Sequence, residues 1–110
     1  MASDRSINGI YTAQDPKSIP SGFIKSCSKA GGFAPRPLWD EITNGITPWF
    51  LHDNGCFIYL NCQDGRWWMD RWDGNPLFLA DPEGSLLLPP MEGWVGLTGG
   101  RSGVPRVGYL

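Results

Sequence analysis

The chain has one histidine, His52, and three cysteines in 110 residues, so chemistry that needs paired histidines or a cysteine framework has little to build on. Any triad or metal site that uses histidine has to be assembled around His52 alone. Cys27, Cys56 and Cys62 are an odd number with no Cys-x-x-Cys pair, which supports neither a disulfide framework nor a zinc knuckle and points to a reducing compartment. Cys56 and Cys62 fall six residues apart in one extended run, about 20 Å at roughly 3.3 Å per residue, too far to bond. A surplus of positive charge is also lacking: the net charge is −2, so phosphates would go unneutralised and nucleic acid is not an expected partner. No run approaches the 18 or more apolar residues of a membrane span. The opening "MASDRSINGIY" has no apolar stretch that could serve as a secretion signal.

Catalytic signatures are missing as well. "GLTGGRSG" at 96–103 places Val95 where a phosphate loop has its first glycine and Arg101 where it has lysine. Ser102 lies outside a Gly-x-Ser-x-Gly elbow. Asp40 and Glu41 are adjacent, which on a strand sends them to opposite faces, and Asp73, near Asp70, is claimed by a turn. Neither pair gives two acids at a fixed separation across a sugar, and the acids miss the spacing of a calcium loop. No catalytic residue, metal or cofactor is expected.

What the chain does have is apolar mass and turns. Residues of the apolar class make up 41%, charged residues only 18%, and there are 15 Gly and 10 Pro. That composition describes one packed domain over 1–110 with many turns and little helix. "SINGIYTA" reads as a first strand, "FIKSCSKAGGFAPRP" as an irregular strand or one helical turn ended by its glycines and prolines. "PWFLHD", "CFIYLNCQ" and "RWWMDRW" read as three strands separated by Asn54-Gly55 and Asp64-Gly65. "PLFLAD", "SLLLPP" and "GWVGL" follow between further turns. The expected fold is all-β: an antiparallel meander of six to eight short strands forming a small barrel or sandwich, with residues 1–5 and 98–110 as extended tails.

If both hairpin turns are two-residue type I′ turns, Leu51 faces Ile58, Trp49 faces Leu60, Cys62 faces Trp67 and Leu60 faces Met69. One face then holds Trp49, Leu51, Cys56, Ile58, Leu60, Cys62, Trp67 and Met69 and is core. The other holds Phe50, His52, Phe57, Tyr59, Asn61, Trp68, Asp70 and Trp72, where rings alternate with polar groups. Three accounts of this second face are open: a second core covered by the N- and C-terminal strands, a protein interface, or a sugar-stacking platform. Charge is segregated too. Residues 1–36 carry three more cations than anions, whereas residues 37–92 carry seven more acids than bases. This reads either as two solvated faces or as a basic arm that docks on an acidic partner.

"NGIY", "RPLW", "FIYLNCQDGRWWMDRWDGNPLFLAD" and "PPMEGW" together resemble a Trp- and Gly-rich β module that recurs, often in copies, in proteins of algae and other protists. No activity is assigned to such modules. The resemblance implies a compact β unit used for interaction and, for a single copy in an alga, a peripheral subunit of a larger assembly such as a photosynthetic one. The expected function is therefore a non-catalytic protein-protein interaction module or small accessory subunit. Its expected contacts are Trp68, Trp72, Tyr59, Phe57 and His52, with Arg101 and Arg106 in the tail. The alternative is a carbohydrate-binding module using Trp68, Trp72 and Tyr59 for stacking with Asp70 and Asn61 for hydroxyls; a small hydrolase is a distant third. The expected partners are other protein subunits, with membrane association only through one of them. The expected location is inside the cell and soluble, in the cytoplasm or an organelle, the chloroplast included, and not secreted.

Overall fold

A computed structural model describes residues 8–85, 87–97 and 107–109. These form β1 (Gly9–Gln14), α1 (Ser21–Lys29), α2 (Pro35–Ile42), β2 (Trp49–Leu51), β3 (Phe57–Asn61), β4 (Arg66–Asp70), β5 (Pro76–Ala80), β6 (Val95–Gly96) and β7 (Val107–Tyr109). All seven strands belong to one sheet in the order β6-β5-β4-β3-β2-β1-β7, curled into a half-barrel. From β1 to β6 the strands form the expected antiparallel meander. β7 runs parallel to β1, so part of the segment expected to be an extended C-terminal tail is an edge strand. Residues 1–5 lie outside the described residues. "SLLLPP", read as a strand, forms none among the described residues.

The hairpins obey a different turn rule from the one the dipeptides suggested. Type I′ turns need positive φ at both central residues, but among the described residues only glycines have positive φ. Asn54 and Asp64 instead stay right-handed or extended, and their side chains accept from the backbone two residues on: Asn54 Oδ1 from the Cys56 N–H (3.0 Å) and Asp64 Oδ1 from the Arg66 N–H (3.0 Å). Each turn then spends its left-handed residue on the glycine that follows, Gly55 at φ 96° and Gly65 at φ 71°. The β2–β3 turn becomes a three-residue loop closed by His52 N–H to Cys56 O (2.9 Å). The β3–β4 turn becomes a four-residue loop, Cys62 to Gly65.

These loop lengths reset the registers. Leu51 pairs with Phe57 and Phe50 with Ile58, a shift of one residue from expectation, so β2 turns over. Phe50 enters the first core, and Trp49 and Leu51 move to the opposite face. Leu60 pairs with Trp67 and Ile58 with Met69, a shift of two, which preserves the expected faces of β3 and β4. Cys62, expected on the core face, is an exposed turn residue.

The first core gathers Tyr11, Phe50, Ile58, Trp67, Met69 and Phe78 inside the curl of the sheet, with Trp94 closing it from the loop before β6. A bulge between Met69 and Asp70 lets the consecutive residues Leu77 and Phe78 both reach this core. The second core lies on the other face of β2–β4. There Phe23 and Cys27 of α1 and Trp39 and Ile42 of α2 pack on Trp49, Phe57 and Tyr59.

Of the three accounts of this face, the second core is the one found, but two helices rather than terminal strands cover it. Phe23 and Cys27 recur one turn apart, which makes α1 apolar on a single stripe. α1 stops where the Gly32 and Phe33 N–H groups bond to the Cys27 carbonyl at 3.1 and 3.2 Å. Pro35, expected to break structure, stands at the start of α2, where its fixed φ suits a helix and its missing N–H is not needed. Cys62 N–H donates to the Ile42 carbonyl at 2.7 Å and ties the end of α2 to the β3–β4 loop.

Candidate interaction site

The expected aromatic face is largely closed by these helices. Phe57 and Tyr59 are buried in the second core; their rings stack at 5.9 Å between centroids. Tyr59 also meets Trp39 at 5.3 Å, and burial pushes its phenol well above the usual range, with Asp70 adding to the shift. Trp68 is half-buried, stacked on Tyr59 at 6.4 Å, with its indole N–H donating to Asp64 Oδ2 at 2.9 Å.

His52 is tied at both ring nitrogens. Nε2 lies 2.8 Å from the Asn8 carbonyl oxygen, a bond in which only the ring can donate, and Nδ1 accepts from the Asn54 N–H at 3.2 Å. The ring leans on Tyr11 at 5.1 Å. It clasps the start of β1 to the β2–β3 hairpin and has no nitrogen left over for a substrate.

Of the residues in the sugar-platform alternative, Tyr59, Asn61 and Asp70 are buried, Trp68 is half-buried and Trp72 is exposed, so they do not share one open surface. Asn61 Oδ1 is committed to the Gln63 N–H at 2.9 Å. Asp70 is 5% exposed, one of its oxygens has no hydrogen-bond partner among the described residues, and burial pushes its carboxyl up to about 8. Asp40 and Glu41 lie on α2 rather than on a strand. Cys27 is buried, and burial pushes its thiol up. Arg101, Arg106 and Ser102 lie outside the described residues.

Trp72 is the exception among the six tryptophans: it is 49% exposed, while Trp39, Trp49, Trp67 and Trp94 are buried. The β4–β5 hairpin fixes its position. Arg71 N–H bonds to the Asn75 carbonyl and Gly74 N–H to the Arg71 carbonyl, both at 2.8 Å, while Asp73 Oδ1 accepts from the Asn75 N–H at 3.1 Å. α1 then docks on this turn through two glycines. A Cβ on Gly22 would stand 2.7 Å from the Trp72 carbonyl oxygen, and one on Gly74 would stand 2.5 Å from the Gly22 carbonyl oxygen. Only hydrogen fits at either place.

That docking sets cations around the indole. Lys25 Nζ lies 5.3 Å and Arg71 Cζ 5.9 Å from the ring centroid. Arg71 also forks onto Asp73, with Nε 3.0 Å from Oδ1 and NH2 on Oδ2, and Lys29 Nζ stands 3.9 Å from Asp73. The Arg71 hydrogen bond is the first of several effects that hold the Asp73 carboxyl well below the usual range. Three cations thus surround one carboxylate and one open indole, with exposed Ile24 on α1 nearby in sequence. The patch suits an acidic surface that also offers an apolar group for the ring.

No known protein family, curated protein or solved structure matches the chain. Among the described residues no cluster of His, Cys, Asp or Glu could hold a metal ion, and no helix is long and apolar enough to cross a membrane.

Trp72 was visible in the sequence as a residue outside the first core. Lys25 and Lys29 belong to the basic segment 1–36 that in one reading docks on an acidic partner, but their place beside Trp72 and Asp73 is not visible in the sequence. Their spacing of four, on the same turns as Phe23 and Cys27, is the signal that could have found them, since two like charges one turn apart disfavour a helix unless a partner compensates.

Proposed function

We propose that the protein is a non-catalytic interaction module, a small accessory subunit of a larger assembly, and that Trp72 with Lys25 and Arg71 is its contact centre. The observation that carries this reading is a half-exposed indole with two cations at 5.3 and 5.9 Å from its ring centroid, on a hairpin locked to a helix by glycine contacts. Tryptophan and arginine are the residues most enriched where truncation weakens protein complexes, because a rigid ring and a forked cation gain much contact for little lost freedom. Three neighbouring cations select a partner surface bearing carboxylates.

The test uses the immobilised chain and its Trp72→Ala and Lys25→Glu variants, each checked for native circular dichroism, incubated with extract of the source cells. A stoichiometric protein retained by the wild type and lost from both variants supports the reading. Equal retention by all three, or retention by none, refutes it.

A further inference from the structure

A second exposed apolar surface lies elsewhere on the molecule, and its charge is opposite. Of the ten large apolar side chains exposed among the described residues, Leu87, Leu88, Met91, Val95 and Leu97 come from one eleven-residue stretch. This stretch follows Asp81 and Glu83 and contains Glu92, all exposed. No lysine or arginine occurs from residue 72 to residue 97. Glu83 and Glu92 face a common groove with Leu88, Pro89, Pro90 and Met91. The ion pairs among the described residues are Lys29–Asp73, Arg36–Asp40, Arg66–Asp81 and Arg71–Asp73. None of them joins this acidic edge to the Trp72 patch, and none engages Lys25, Glu83 or Glu92.

Resting on the reading that Trp72 is the contact centre, we propose that the partner of this patch is a second copy of the chain, docking the acidic apolar edge formed by Glu83, Leu87, Leu88, Met91 and Glu92. Each requirement of the patch is met by that edge. Glu83 and Glu92 supply carboxylates for Lys25 and Lys29, and Leu87, Leu88 and Met91 supply apolar groups for the indole of Trp72 and for Ile24. The two surfaces are different parts of the chain, so two copies can engage both contacts at once about a twofold axis and close as a dimer, or engage one contact and leave a basic and an acidic surface free for further copies. The attraction between exposed charges is screened over about 8 Å at physiological ionic strength, so the assembly is salt-sensitive.

The test is sedimentation of the full chain over about a hundredfold range of concentration, at about 20 mM and about 500 mM salt. The average mass is expected to rise with concentration at low salt and to fall toward the monomer at high salt. Trp72→Ala weakens association at least about tenfold. The Lys25→Glu/Lys29→Glu and Glu83→Lys/Glu92→Lys variants, each folded by circular dichroism, are monomeric alone and associate when mixed, because each supplies the charge that the other has lost. A monomer at every concentration and salt overturns the proposal, as does a mixture that stays monomeric. If the wild type is monomeric while Trp72→Ala still loses a different protein from extract, the second copy is ruled out and the contact centre stands.

Discussion

Gly74 in the β4–β5 hairpin lies against Gly22 in α1 so closely that a methyl carbon added to Gly74 would stand 2.5 Å from the Gly22 carbonyl oxygen and 2.4 Å from Ser26 Cβ. This contact joins the second core to the cationic patch, since α1 carries Phe23 and Cys27 on one side and Lys25 on another.

Gly74→Ala is therefore expected to destabilise the fold more than Gly65→Ala. Both glycines have positive φ, 88° and 71°, and alanine there costs about 1 to 2 kcal/mol in strain. Gly65 has open space around it, whereas Gly74 meets α1, which adds about 1 to 3 kcal/mol of overpacking. Urea midpoints of the two variants measure the difference; equal losses would mean that α1 does not press on the hairpin.

Phe57 and Ile58 are neighbours on β3 that point to opposite cores, and both are fully buried. Phe57→Ala should cost about 3 to 5 kcal/mol and Ile58→Ala about 2 to 5 kcal/mol. A loss below about 1 kcal/mol at Phe57 would show that the helices do not seal that face. Chemical denaturation of the two variants decides it.

Trp72→Ala keeps the Cβ that packs against Gly55 and removes only the exposed ring and its contacts with Lys25 and Arg71. Its stability should stay within about 1 kcal/mol of wild type, while the association described above is lost. A large loss in thermal unfolding would make the indole part of the core.

Asp70 makes the fold respond to pH in the direction opposite to most carboxylates. Burial raises its folded value to about 8, above an unfolded value of about 4, so between those limits the native state holds a proton that the unfolded chain has released. Its contribution is full below about pH 4, falls as pH rises, and is gone above about pH 8, with a slope of at most about 1.4 kcal/mol per pH unit. Asp70→Asn should remove this slope. Urea midpoints of both proteins at pH 5, 6, 7 and 8, as about one-unit steps, test it; parallel curves would show that Asp70 does not titrate in this window.

Much of the sheet could be read from the chain, because its strands are short apolar runs punctuated by Asx-Gly. The register was less legible. Asn54-Gly55 and Asp64-Gly65 are compatible with either a mirror-image turn or a loop with one left-handed glycine, and only the choice made by the Asx residue decides which side of β2 Phe50 faces. The helices were obscured for a related reason: Gly31, Gly32, Pro35 and Pro37 read as breakers, whereas Pro35 begins a helix and the glycines end one. β7 carries no local signal: three residues are too few for a pattern, and they are held by pairing with β1 and by Val107 in the first core. Of the candidate site, Trp72 is a contact named from the sequence, but on an expected strand over 66–72, whereas β4 ends at Asp70 and Trp72 stands on the turn that follows. Its cations are not legible there, because Lys25 and Lys29 come together with it only through α1, whose glycine- and proline-flanked sequence shows no clear helical signal.

The position of β1 also decides when this sheet is finished. One edge of β1 pairs with β2 at residues 49–51 and the other with β7 at residues 107–109, so β1 waits for about a hundred further residues to be synthesised before its second neighbour exists. The meander from β2 to β6 can assemble as it emerges, hairpin by hairpin. Closing β1 against β7 joins residues 9–11 to residues 107–109 and, as the longest-range pairing of the sheet, is entropically the last and slowest step. A nascent chain stalled before Val107 leaves Ile10 and Tyr11 on an open edge, the state in which this protein is most exposed to pairing with the wrong strand.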